Sequence, residues 1–175
     1  MKKLVIALSA VAALAMAPKA HAVNLDWEGN KCVTVDHSFK VCKPGSDWDT
    51  QKTGEDRRPV KWEYHRKDVN PAIVLNYDWD AKGKTAHDYA QVVKSRLADR
   101  GVKTLSIKNT VINGRNVSIM KAKNPGKDLE YTIGVWRNQA KGFYLMCSAN
   151  PGQFDNFQDE FLKSIKSVEI VSEKR

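Results

Sequence analysis

The 175-residue chain carries 29 lysines and arginines against 20 aspartates and glutamates, which gives a formal net charge of +9 at pH 7. That length suits one domain with a substantial core and excludes an array of several domains. Basic and acidic residues alternate through most of the chain, as in KTGEDRRPVKWEYHRKD at 52–68. Because the positive charge is dispersed, we do not expect a nucleic-acid partner.

The first 22 residues have the pattern of a signal peptide. Two lysines precede an apolar run at 4–17, and PKAHA then ends in the small-x-small motif that signal peptidase recognises. The apolar run is shorter than the roughly 20 residues that a helix needs to cross a bilayer. We therefore predict cleavage after Ala22, export to the periplasm or the medium, and no transmembrane segment after cleavage. The mature protein is predicted to be a single domain over 23–175.

The mature chain is predicted to begin with a hairpin and two further strands. β-Forming residues flank the polar triplet Asp36-His37-Ser38, so residues 31–42 indicate a hairpin with a three-residue turn. Residues 47–58 are polar and are predicted to form an exposed loop. The alternating segment VKWEYHR at 60–66 and the more apolar AIVLNYDW at 72–79 indicate strands, the second of them near the centre of a sheet.

Two helices and a second set of strands follow. Thr85 and Asp88 form a capping box in front of an amphipathic segment that Gly101 ends. Strands are predicted on both sides of Asn113-Gly114, a strong turn signal, and LEYTIGVWRN and GFYLMCSA form a long hairpin. After Asn150 and Pro151, aromatic and aliphatic residues at helical spacing indicate a second helix that packs on a sheet.

This order of elements predicts the α+β class, with a central, largely antiparallel sheet of about six strands and two main helices. Runs of consecutive strands favour antiparallel pairing because short turns join them. The order alone leaves open whether the two helices cover one face of the sheet or both.

The chain resembles the PsbP-like superfamily, which includes the extrinsic PsbP protein of photosystem II and DcrB-like periplasmic proteins. Four features carry the resemblance: VCKPGSDW after the first hairpin, the position of the first helix, the Asn-Gly-Arg turn at 113–115, and the closing segment GFYLMCSANPGQFDNFQDEFLKSIKSVEI. The resemblance implies an α/β/α sandwich around the antiparallel sheet, and a binding or assembly role rather than catalysis. It does not imply a particular partner, since one fold serves many functions.

Cys32 and Cys42 could be a metal site, a reactive pair or a structural disulfide. An exported chain meets an oxidising compartment, and a turn at 36–38 places the two residues opposite each other in the hairpin. A zinc site would need further ligands at characteristic spacing, and the sequence supplies none nearby. We therefore predict a Cys32–Cys42 disulfide, with Cys147 left as a buried thiol.

Two further constellations are candidates for binding. Asp78, Asp80, His87 and Asp88 partly match a calcium loop, but a lysine stands at a ligand position and the closing glutamate is missing, so they are weak candidates for a divalent metal.

Among five tryptophans, Trp62 and Trp79 fit apolar strand faces. Trp48 and Trp136 are candidates for a partner-binding surface, with burial at the ends of the core as the alternative.

Catalysis is not expected. Ser38 beside His37 is too local for a nucleophile and its base, and the nucleophile elbow of hydrolases is absent from the sequence. No cofactor is indicated. The sequence therefore predicts an exported, non-enzymatic binding or assembly factor whose partner is another periplasmic or membrane-associated protein. The alternative is a small-molecule or divalent-metal-binding module that uses residues 78–88, and a hydrolase is disfavoured.

Overall fold

The computed structural model describes residues 23–55, 57–66 and 68–171. The predicted signal peptide and its cleavage site lie outside the described residues. Within the described ranges the elements follow in this order: β1 (Leu25–Glu28), β2 (Cys32–Val35), β3 (Phe39–Cys42), β4 (Trp48–Glu55), β5 (Arg58–Tyr64), β6 (Ala72–Asp78), α1 (Ala86–Ala98), β7 (Lys103–Ile112), β8 (Arg115–Asn124), a 3-10 turn (Pro125–Lys127), β9 (Leu129–Asn138), β10 (Lys141–Ala149), α2 (Pro151–Lys166) and β11 (Glu169–Ile170).

The strands form two antiparallel sheets. The larger has seven strands in the order β4-β5-β6-β10-β9-β8-β7, and the smaller has four in the order β1-β2-β3-β11. The predicted hairpins pair as expected, with β2 against β3, β7 against β8, and β9 against β10. The α+β class and the largely antiparallel sheet are therefore confirmed.

The predicted loop at 47–58 is wrong, because most of it is an outer strand of the larger sheet. β4 pairs with β5 from Trp48 opposite Tyr64 to Lys52 opposite Val60. After Trp48 all of its side chains are exposed. Since neither face of this stretch is buried, it shows no apolar alternation, and only its backbone pairing makes it a strand.

The two helices cover opposite faces of the larger sheet, which answers the question that the sequence left open. Tyr89 and Val93 of α1 pack in one apolar cluster with Ile133 of β9. Phe161 of α2 belongs to a second cluster that contains Trp136 of the same strand. Because neighbouring residues of a strand point to opposite faces, β9 serves both layers, and the architecture is the α/β/α sandwich that the resemblance implied.

The smaller sheet shares a layer with α2. The ring of Phe39 stacks on that of Phe143 with centroids 5.1 Å apart, which joins β3 to the larger sheet. Hydrogen bonds also tie β3 to the helix: the Ser164 hydroxyl donates to the carbonyl of Cys42 at 2.7 Å, and the Cys42 amide donates to Ser167 Oγ at 2.9 Å. This face of the larger sheet is therefore covered by two elements side by side.

The opposite face is covered along only part of its width. α1 packs mainly over β7, β8 and β9. On β6 and β10, Val74 and Met146 face the α1 side and are half-buried, whereas Ile73 and Leu145 face the other side and are fully buried. We call the α1-side surface of β5, β6 and β10 the uncovered half of the sheet.

Gly142 allows α1 to lie close to the edge of this uncovered half. A Cβ atom at that position would lie 2.4 Å from Cζ of Tyr89 and 2.6 Å from Cβ of Ala81. Only a residue without a side chain can therefore occupy this place in β10 while Tyr89 packs flat against the strand.

Candidate binding surface

A cleft opens where the uncovered half of the sheet meets the last turns of α1. Its volume is about 280 Å³, and guanidinium groups line it from two directions. Arg57 directly precedes β5 and Arg58 begins it, whereas Arg96 lies in the last turn of α1 and Arg100 follows the helix by two residues. We call this feature the arginine cleft.

A buried carboxylate lies at the base of the arginine cleft. Asp78 is 5% exposed, and its Oδ2 accepts hydrogen bonds from the Tyr89 hydroxyl at 2.6 Å and from Nη1 of Arg96. Burial raises the pKa of Tyr89, and the charge and hydrogen bond of Asp78 raise it further. Burial lowers the pKa of Arg96, but its hydrogen bond and ion pair with Asp78 outweigh this and leave that pKa raised. Arg96 is therefore committed to an internal pair.

The other three arginines are only weakly engaged. Arg57 Nε lies 3.9 Å from Asp78 Oδ1 with a largely exposed side chain, and Arg58 Nε lies 3.8 Å from Glu55 Oε2. The guanidinium of Arg100 has no ion pair among the described residues. Surface ion pairs of this length contribute little, so these guanidinium groups remain available to an anionic group from outside.

The arginine cleft continues into a groove along the uncovered half of the sheet. The adjoining cavity shares Arg58 and Arg100 and adds Lys127 at its rim, and a third cavity shares Val74 and Met146 with it. The groove follows β6, whose seven residues span roughly 20 Å at the rise of a strand. One end of the groove is therefore cationic and its floor is mainly apolar.

The two tryptophans predicted as a partner surface are buried, so that prediction is corrected. Trp48 is 0% exposed, packs against Phe157 and Phe161 of α2, and donates from Nε1 to Glu160. Trp136 is 1% exposed. Both strands turn these side chains toward the layer of α2, where they form core, as the alternative reading of the sequence expected.

The four residues predicted as weak metal candidates do not gather at one site. Asp78 binds Arg96, and Asp80 is exposed. Asp88 Oδ2 accepts from the backbone N–H groups of Lys84 and Thr85 at 3.0 Å, and these bonds, with the bond to the Thr85 side chain, lower its pKa.

His87 Nδ1 lies 3.1 Å from Oδ1 of Asn109. Across the described parts of the chain, no group of three or more His, Cys, Asp or Glu side chains could hold a metal ion. The partial calcium-loop pattern is thus explained by a helix cap and a buried ion pair.

The predicted disulfide is present. Cys32 and Cys42 occupy opposed positions of β2 and β3 and are joined by a disulfide bond. Cys147 is a free thiol that is 0% exposed, and burial raises its pKa well above the usual range for cysteine. The thiol is therefore protonated and inert at neutral pH.

The sequence missed the arginine cleft. In the sequence, Arg57 and Arg58 lie in a segment of mixed charge that was predicted to be a loop, and Arg96 and Arg100 have the spacing of basic residues that favour the C-terminal end of a helix. A pair of adjacent arginines and a pair at helical spacing were visible signals. Nothing in the sequence showed that the two pairs face each other across the same cleft.

Comparison with known proteins supports the fold. No protein-family model matches the chain, and no match was found among curated proteins. Cyanobacterial PsbP (CyanoP) from Synechocystis has a similar solved structure, with a TM-score of 0.55, 13% identity, and coverage of 85% of this chain and 92% of that one.

The second similar structure is PA94, a protein of unknown function from Pseudomonas aeruginosa. Its TM-score is 0.54 at 9% identity, with coverage of 84% of this chain and 96% of that one. The fold is PsbP-like. At these identities the likeness concerns the fold alone, so function has to be argued from the surface of this chain.

Proposed function

We propose that the protein is an exported, non-catalytic binding or assembly factor that holds an acidic, extended segment of a partner protein on the uncovered half of its sheet. The observation that carries this proposal is the arginine cleft at one end of a groove with an apolar floor. A partner segment that places one or more carboxylates in the cleft and apolar side chains on the floor would match both parts.

The groove favours a protein segment over a compact ligand. It is open along its length, and roughly 20 Å accommodates about six residues of extended chain. The arginine cleft alone, at about 280 Å³, lies at the lower end of small-molecule sites. The small-molecule alternative is therefore the second candidate, with a small organic anion in the cleft as its ligand.

Two observations support a non-catalytic role. None of the described residues that line the arginine cleft is a histidine, serine or cysteine, so the Ser–His and Cys–His pairs of nucleophilic catalysis are missing there. PA94, which has a similar fold, is described as a putative regulator, and this supports a binding or regulatory role.

The Cys32–Cys42 disulfide supports export, because such bonds persist in oxidising compartments. Among the described residues, no helix is long and apolar enough to cross a membrane. A partner-binding domain outside the cytoplasm is consistent with both findings.

Site-specific photocrosslinking tests the proposal. A photoreactive amino acid replaces Met146 on the groove floor, and in a second variant it replaces Leu105, which is 60% exposed on β7. After irradiation in cells, we expect a covalent adduct with a protein from Met146 and a much weaker one from Leu105. Mass spectrometry of the adduct should identify an acidic segment.

Charge reversal supplies the control. Arg58→Glu with Arg100→Glu should abolish the Met146 adduct, whereas Lys94→Glu with Lys163→Glu, two exposed lysines on the helices, should leave it. The proposal is overturned if the adduct survives reversal of the cleft, if both pairs abolish it equally, or if Met146 crosslinks only to a small molecule or to a second copy of the chain.

A further inference from the structure

A second cavity lies apart from the arginine cleft and shares no lining residue with it. It opens where the start of α1, the β7–β8 turn and the β9–β10 turn meet, and its volume is about 350 Å³. Lys84, Arg115 and Arg137 line it, and none of its described lining residues is acidic. We call it the three-cation cavity.

The turn that carries Arg115 is fixed in place. Asn113 and Gly114 both have positive φ angles, as a tight hairpin turn requires. Nδ2 of Asn113 donates to the carbonyls of Lys166 and Val168 at 3.0 Å each, which ties the turn to the end of α2. Arg115 therefore starts from a rigid backbone, so less conformational entropy is lost when its side chain binds a ligand.

Arg137 approaches the same cavity from β9. Its Nη1 donates to the carbonyl of Lys84 at 3.3 Å, which holds the guanidinium beside the start of α1. Its Nε is buried and has no hydrogen-bond partner among the described residues. A buried donor without a partner is uncommon in folded proteins, and a bound ion or water is one explanation for it.

The backbone at the start of α1 forms part of the cavity wall. Thr85 and Ala86 line it, and the first N–H groups of a helix point outward from its N-terminus. The nearest carboxylate of this segment, that of Asp88, does not line the cavity and is engaged by the N–H groups of Lys84 and Thr85. Three cations without an acidic lining residue favour a ligand with more than one negative charge or several acceptor oxygens.

We propose that the three-cation cavity is a binding site for a phosphate group, held by Arg115 and Arg137 with Lys84 as the third cation. Guanidinium groups match the tetrahedral oxygens of phosphate with paired hydrogen bonds, and lysine adds a point charge. The phosphate could belong to a soluble phosphoester or to a lipid headgroup, and these sources share this chemistry. This proposal adds a second site to the proposed partner-binding groove and does not depend on that groove.

A titration followed by amide NMR tests the site. Inorganic phosphate is added to the folded chain at constant ionic strength, with chloride as the reference salt. We expect saturable shifts for the amides of residues 84–86 and 113–116, with a dissociation constant of about millimolar or tighter. Arg137→Gln should weaken binding about tenfold and Arg115→Gln about fivefold, since each removes a charged donor.

Lys163→Gln, on the exposed side of α2, is the matched control and should change the affinity less than about twofold. The same spectra show whether each variant is folded. The proposal is overturned if these amides do not respond at about ten millimolar phosphate, or if Arg115→Gln and Arg137→Gln bind phosphate as well as the control does.

Two further probes distinguish the sources of the phosphate. Glycerol 3-phosphate stands for a soluble phosphoester, and phosphatidylglycerol vesicles, compared with phosphatidylcholine vesicles, stand for a lipid surface. Saturable binding of glycerol 3-phosphate at the same amides supports a soluble ligand. If the wild-type protein sediments with phosphatidylglycerol vesicles and the Arg115→Gln and Arg137→Gln variants do not, the result supports a lipid headgroup. Neither result depends on Arg58 or Arg100. The phosphate site can therefore be disproved without affecting the proposal for the partner groove, and the groove can be disproved without affecting the phosphate site.

Discussion

The two faces of the seven-stranded sheet are built from the same strands but serve different purposes. On one face, α2 and the smaller sheet bury the side chains of β6 and β10 completely, including Ile73 and Leu145. On the other, α1 covers only part of the width, and Val74 and Met146 are half-exposed. A strand therefore contributes to the core with one side and to an open groove with the other, and the covering layer decides which.

The comparison also explains where the large aromatic residues lie. Trp48, Trp62 and Trp136 all face the covered side and are fully buried. The proposed groove is lined at one end by arginines instead. The proposed partner surface is therefore marked by arginines and not by tryptophans.

The two faces should differ most in the free energy of unfolding that is lost when a large side chain is replaced by alanine. Trp136→Ala removes a ring that packs beside Phe143, with centroids 5.7 Å apart, and we expect it to lower the free energy of unfolding by about 3–5 kcal/mol. Met146→Ala, on the uncovered half, should cost about 1 kcal/mol or less. Urea unfolding measures both. Equal losses would show that the two faces are equally packed and would contradict the comparison.

The disulfide should stabilise the covering layer without affecting the groove. We expect Cys32→Ser with Cys42→Ser to lower the free energy of unfolding by up to about 3 kcal/mol, since the bond closes a short loop of the hairpin. Reductant should destabilise the wild-type protein by a similar amount and leave the double variant unchanged. A loss of partner crosslinking in the folded double variant would mean that the two faces are coupled.

A smaller effect is expected where the hairpin contacts the larger sheet. The hydroxyl of buried Tyr77 donates to Oδ2 of Asp36 at 2.6 Å, and Nζ of Lys141 lies 2.9 Å from the same oxygen. Tyr77→Phe removes one of these partners, so we expect a loss of about 1–2 kcal/mol in the free energy of unfolding. No loss would show that Lys141 alone satisfies the carboxylate. Phe39, which packs nearby, should retain its NMR shifts if the layer stays in place.

The smallest effect concerns the cap at the start of α1, the helix that covers part of the second face. Hydrogen bonds from Lys84 and Thr85 lower the pKa of Asp88 in the folded protein. Its contribution to stability is therefore present above the unfolded pKa of about 4 and is lost as the pH falls through the lower folded value. We expect Asp88→Asn to reduce the dependence of stability on pH between about 5 and 2.

Unfolding by urea at several pH values measures this dependence. Thr85→Ala is the comparison variant: it weakens the same cap by about 1 kcal/mol but keeps the carboxylate and its two backbone hydrogen bonds, so it should retain most of the pH dependence. Parallel pH profiles for Asp88→Asn and the wild-type protein would contradict the assignment. If only Thr85→Ala changed the dependence of stability on pH, the hydroxyl of Thr85 and not the carboxylate of Asp88 would be responsible for that dependence.

Local chemistry made much of the fold predictable. The capping box at Thr85, the Asn113-Gly114 turn and the apolar spacing in α2 each depend on neighbours within a few residues, and all three features are found in the structure. The disulfide was also predictable, because a hairpin turn sets which residues face each other. β4 was not, since an exposed strand has no buried face to leave a pattern.

The sequence by itself determined the two helices, the main hairpins, the α+β class and the register that places Cys32 opposite Cys42. These depend on propensities, turn residues and short-range alternation. Only the tertiary structure decided that the helices lie on opposite faces, that Trp48 and Trp136 are core, and that Arg58 and Arg100 share a cleft. The physical reason is that the alternation of apolar and polar residues shows that a strand has two faces, but not which layer will cover each face. Whether two side chains meet in one cleft depends on contacts between residues that are distant in the chain.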